Sequence, residues 1–100
     1  MKAKQYFEKY EPLFDEARGP ENIEKVALDL FVEVADELYA LAESRNIQSE
    51  EAQLSLIKEF NQKWNAIYTC FEKKYGDSPI KWNGFKDGYK RAVPAIADKL

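Results

Sequence analysis

Two sets of residues in this chain have the types and spacing that chemistry asks for. Glu33 and Asp36 stand three apart, so on a helix their carboxylates project together, as shared coordination of a hard cation requires. Farther along, Lys81, Trp82, Phe85, Lys86, Tyr89, Lys90 and Arg91 interleave cations with rings. Such a segment can stack on bases and meet phosphates, or anchor a protein interface, where Trp, Tyr and Arg concentrate binding energy. The plainer reading is that the rings close the open end of a bundle while the lysines face water. What is missing bounds the rest. With no histidine, the chain lacks the usual general base near neutral pH and the commonest zinc ligand. A single cysteine, Cys70, can build no thiolate cage and reads as a small apolar group beside the core. The four glycines, Gly19, Gly76, Gly84 and Gly88, are expected at breaks and do not have the spacing that cradles phosphate. Most enzyme classes are thereby disfavoured, and no catalytic residue, metal or cofactor is expected.

One hundred residues, 45% apolar and 14% aromatic, suit one domain spanning 1–100 with one core. The net charge of −3 is uneven: residues 1–71 carry −6, and residues 72–91 carry +3. That acidic balance argues against nonspecific nucleic-acid binding by the chain as a whole. No apolar run approaches the ~20 residues of a membrane span. Met1-Lys2-Ala3-Lys4-Gln5 leads into an amphipathic segment rather than a secretion signal. A lone cysteine suits a reducing compartment. The expectation is a soluble cytoplasmic protein.

The elements that must position these residues are helices. Tyr6, Tyr10, Leu13 and Ala17, with Phe7 and Phe14 beside them, repeat at helical spacing over 3–17, and Pro12 predicts a kink. Gly19 and Pro20 stop that segment. From Pro20 to Arg45 apolar residues fill most of the circumference, leaving Asn22, Lys25, Asp29, Glu33, Asp36 and Glu43 as a narrow polar stripe. A helix wetted on so little of its surface must be central. From Ser49 to Tyr75, Ser49 is the expected cap, and Leu54, Ile57, Phe60, Trp64, Ile67 and Phe71 are the expected core row. Gly76 is the expected left-handed terminator. Only Asn46-Ile47-Gln48 separates the two long stretches, which forces an antiparallel hairpin. Each hairpin helix measures roughly 40 Å, longer than a compact 100-residue body covers, and a second copy is an expected cover. Beyond a turn at Asp77-Ser78-Pro79 and a break at Trp82-Asn83-Gly84, Phe85, Tyr89, Val93, Ile96 and Leu100 resume helical spacing. Pro94 should bend or restart that last helix.

Around the carboxylate pair, Val34-Ala35-Asp36-Glu37-Leu38-Tyr39-Ala40-Leu41-Ala42 resembles the second metal-binding helix of the MazG-type all-α nucleotide pyrophosphohydrolases over about ten residues. That resemblance implies magnesium held against a triphosphate by Glu33 and Asp36. The only fitting E-x-x-E partner upstream is Glu8-Lys9-Tyr10-Glu11, next to Pro12. The alternative, a solvated stripe formed by Asp29, Glu33 and Asp36, is preferred for a charge run on one helical face. Trp82-Asn83-Gly84 also resembles the Trp-x-Gly signature of a family of small secreted helical hairpins. There the motif forms the turn between the long helices, whereas here Asn46-Ile47-Gln48 does, and the resemblance stops at that point.

The chain therefore reads as all-α, a small helical bundle on a long antiparallel helical hairpin with shorter N- and C-terminal helices. The expected function is that of a small non-catalytic binding or regulatory protein, of the character of bacterial and phage accessory proteins, with a protein partner and no membrane. Its candidate contact residues are Trp82, Lys86, Tyr89 and Lys90. The alternatives are the magnesium-dependent pyrophosphohydrolase and a weak single-strand nucleic-acid binder acting through the basic-aromatic tail.

Overall fold

In a computed structural model, residues 2–44 and 49–97 are described, with side chains as far as Pro94. Four helices follow one another: α1 (Ala3–Glu16), α2 (Pro20–Ser44), α3 (Glu50–Tyr75) and α4 (Pro79–Ala97). No strand occurs among the described residues. The body measures 42 × 24 × 17 Å, and the two long helices set its length. The hairpin turn expected at Asn46-Ile47-Gln48 lies outside the described residues.

The helix boundaries follow local chemistry. Gly19 takes φ +83°, a left-handed conformation open to glycine, and lets Pro20 start α2. At the start of α3 the Ser49 hydroxyl accepts a hydrogen bond from the Ala52 amide at 3.2 Å, with Glu50 and Glu51 in the first turn. Gly76 departs from expectation: its φ of −58° is right-handed. The last turn of α3 simply continues, the Gly76 amide donating to the Glu72 carbonyl at 2.8 Å, because only Asp77 and Ser78 separate it from α4. Both prolines lie inside unbroken helices, Pro12 in α1 and Pro94 in α4, and each is exposed. The expected restart at Pro94 does not occur.

Neighbouring contacts give the directions. Along α4, Trp82 meets Tyr68, Phe85 meets Trp64 and Tyr68, and Tyr89 meets Trp64, so α4 runs antiparallel to α3. Against α2 the order is the reverse, Gly84 over Ile23 and Gly88 over Ala27, so those helices run parallel. Phe7 and Phe14 of α1 reach Phe71 and Tyr75 of α3, and Lys63 of α3 approaches Tyr6. The result is an up-down-up-down bundle with α2 touching all three other helices.

α2 and α4 make the most extensive contact, and glycine is the reason. Gly84, Gly88 and Ala92 recur every four residues on one side of α4 and are buried. A Cβ at Gly84 would stand 2.5 Å from Ile23 Cγ2, and one at Gly88 2.5 Å from Ala27 Cβ and 2.6 Å from the Glu24 carbonyl oxygen. The break expected at Trp82-Asn83-Gly84 is therefore absent. These glycines sit inside a helix, where the close approach of α2 offsets their low helix propensity. With α4 drawn onto α2, large rings fill the space toward α3. Phe71 and Phe85 stack at 4.7 Å, Trp64 and Phe85 at 5.5 Å, and Phe31 meets Trp64 edge-on at 4.4 Å.

The buried set also shifts two expectations. On α1 it is Phe14, fully buried beside Tyr6 and Tyr10, that faces inward, and Leu13 is 47% exposed. On α3 the core row holds from Trp64 through Ile67 to Phe71, but Leu54 and Ile57 are 59% and 42% exposed. Length explains the second case. At the register of Gly88 over Ala27, Ala97 comes level with Asp36, two turns short of the end of α2 at Ser44. The described part of α4 thus stops short of the start of α3, while α1 covers the other side, where Lys2 and Ala3 share a depression with Leu38, Leu41, Glu59 and Gln62.

Candidate functional site

Successive helical residues turn by ~100°, which places Trp82, Lys86, Tyr89, Lys90 and Val93 on one outward arc of α4 on its α3 side. The four candidate residues thus share a surface. Trp82 is half-buried, stacked on Phe85 at 5.7 Å and meeting Tyr68 at 4.9 Å, and the Lys86 ammonium stands 5.7 Å from its ring centre. Tyr89 is 38% exposed, with one face stacked on Trp64 at 5.5 Å and an edge contact to Phe31 at 5.0 Å. Lys90 is exposed beside it.

Alongside this arc, α3 turns Leu54, Ile57, Lys58, Asn61, Asn65 and Tyr68 toward α4 by the same periodicity. Of the six exposed large hydrophobics among the described residues, four belong to this α3–α4 face: Leu54, Ile57, Tyr89 and Val93. The α3 half is not legible in the hydrophobic pattern, which assigns Leu54 and Ile57 to the core. The available signal was the mismatch in length between a 25–26-residue hairpin and a 19-residue closing helix.

A set of polar contacts pins α1 to the hairpin. Glu33 accepts hydrogen bonds from the Lys9 ammonium and the Tyr10 hydroxyl. Burial pushes its carboxyl up, but these two donors hold it below the ordinary value. Asp15 accepts from the Tyr75 hydroxyl at 2.7 Å and from Lys74 at 3.0 Å, which holds its carboxyl down as well. Burial and these carboxylates push the phenols of Tyr10 and Tyr75 up, and the acids around Lys74 raise its ammonium despite some desolvation. Each of these shifts moves its group away from neutrality, the opposite of what a general acid or base needs. The groups are structural pegs.

The carboxylates that the pyrophosphohydrolase resemblance brings together do not gather. Glu33 is engaged by Lys9 and Tyr10, Glu11 pairs with Lys74 of α3 at 3.3 Å, and Glu8 and Asp36 are exposed. No group of three His, Cys, Asp or Glu residues that could hold a metal ion occurs among the described residues. Cys70 is a half-buried free thiol rather than a fully buried one. No helix is long and apolar enough to cross a membrane among the described residues. The arrangement offers a surface that can bind through apolar and cationic contacts. Comparison with protein-family models, with curated proteins and with solved structures finds no match to this chain.

Proposed function

We propose that this chain is a small non-catalytic binding or regulatory protein of the cytoplasm whose contact surface is the outward face of α4 together with the first half of α3. One observation carries the reading: four of the six exposed large hydrophobics among the described residues, Tyr89 among them, share that face with Trp82, Lys86 and Lys90. Exposed apolar residues concentrated on one side of a small body mark interaction surfaces, whereas scattered ones carry no meaning. Half-buried Trp82 and exposed Tyr89, held by the rings beneath them, bring contact area at low entropic cost.

The test is affinity capture from the native host with the intact chain and with Lys86→Glu/Lys90→Glu, followed by mass spectrometry. Lys90 is exposed and Lys86 is half-buried beside the Trp82 ring with no acid paired to it among the described residues, so the variant should keep its helicity while losing captured protein. Capture that is indifferent to the double reversal would remove the proposal. The mass of the chain in solution separates a different partner from a second copy.

A further inference from the structure

We infer that the α3–α4 face is the seat of an acidic amphipathic helix supplied by a partner protein, an inference that rests on the binding surface proposed above. Three features of the face specify that occupant. The exposed apolar residues form two short rows, Leu54 and Ile57 three apart on α3, Tyr89 and Val93 four apart on α4. A helix laid along the seam meets both rows with apolar residues at i, i+3, i+4 and i+7. Charge comes next. Between Leu54 and Tyr68 on the outward arc of α3, and between Trp82 and Val93 on that of α4, the only ionised side chains are Lys58, Lys86 and Lys90. Within those bounds no carboxylate lies on either arc, and the nearest on the α3 arc are Glu51 and Glu72, one turn beyond either end. Among the described residues none of the three pairs with an acid, whereas Lys9, Lys63, Lys74 and Arg91 all do. Complementarity therefore asks for Glu or Asp flanking the apolar stripe of the partner.

The third feature discriminates among occupants. Stacking on bases needs a free aromatic face. Trp82 and Tyr89 spend one face on Phe85 and Trp64, Lys86 stands by the Trp82 ring, and the best-exposed apolar groups of the face, Leu54, Val93 and Ile57, are aliphatic. A single-stranded nucleic acid is thus poorly served. A second copy fares no better, since a two-fold contact through this face would gather the unneutralised lysines of both copies into one interface with no carboxylate from the same arcs to offset them.

Fluorescence anisotropy with three labelled probes decides the matter: an 18-residue Leu/Glu amphipathic peptide, the same peptide with Lys for Glu, and a 20-nucleotide oligouridylate. Saturable binding of the Leu/Glu peptide alone is expected. It should weaken roughly tenfold or more in Lys86→Glu/Lys90→Glu and on raising salt, and comparably in Ile57→Asn, with Lys25→Glu on exposed α2 surface as an unchanged control. Far-UV circular dichroism confirms that both variants fold. Equal binding of the two peptides, binding of the oligouridylate instead, or a dimer in sedimentation that Ile57→Asn dissolves would each overturn the inference. If no peptide binds while cellular capture is still lost in Lys86→Glu/Lys90→Glu, only the acidic-helix assignment falls. Capture indifferent to that variant takes the surface itself with it.

Discussion

Replacing Gly88 with alanine should destabilise the protein, although the same change at an exposed position within a helix stabilises by about 0.8–1.0 kcal/mol through propensity. The added Cβ would stand 2.5 Å from Ala27 Cβ, 2.6 Å from the Glu24 carbonyl oxygen and 3.0 Å from the Leu28 amide nitrogen. Ordinary carbon contacts lie at about 3.5–4.0 Å, so α2 and α4 must part by about 1 Å. None of the three atoms can rotate aside, since two are backbone and the third is a Cβ. A gap of that size forfeits a quarter to a half of the dispersion energy along the seam, and overpacking of a tight core costs about 1–3 kcal/mol. Against the propensity gain the net loss is about 0–2 kcal/mol, the middle of that range being worth roughly 4–8 °C in Tm. Urea unfolding followed at 222 nm should give a lower midpoint at unchanged slope. Asn83→Ala, one residue before Gly84 but exposed, should be neutral or slightly stabilising. A rise in the midpoint for Gly88→Ala, matching an exposed site, would refute the close-packed seam.

Gly19→Ala tests backbone strain alone, because φ is +83° and nothing lies within 4 Å of the added carbon. It should cost about 1–2 kcal/mol by urea unfolding, and no loss would deny the left-handed turn. Ser49→Ala should cost about 1 kcal/mol by the same measurement, through the lost acceptor for the Ala52 amide. The carboxyls of Asp15 and Glu33 are held below their ordinary values, so their contribution to stability is present above about pH 5 and is lost as pH falls through the folded values. Tyr75→Phe removes the hydroxyl that donates to Asp15 and should flatten that acid limb below about pH 5. Identical limbs in the two proteins would show that Asp15 is not the group responsible. The phenols of Tyr10 and Tyr75 are shifted up, so the stability they contribute is present below the ordinary tyrosine value and fades as pH rises through the folded ones.

Much of the architecture was legible in the residues themselves. Helical periodicity, the Ser49 cap, the Gly19-Pro20 stop and the short link between two long apolar stretches placed α2 and α3 within about a residue of their observed bounds. These are local properties, written in neighbouring side chains and in the backbone freedom of single residues. The seam between α2 and α4 was not legible. Gly84 and Gly88 look like helix breakers until a second helix supplies the contact that makes a missing side chain favourable. Leu54 and Ile57 share the periodicity of Trp64 and Phe71, and nothing local distinguishes them. Whether such residues are core or contact surface depended on where α4 ends, a relation between helices distant in sequence. Side-chain pattern thus chose the helices and their inward faces, and packing register decided which inward faces stayed bare.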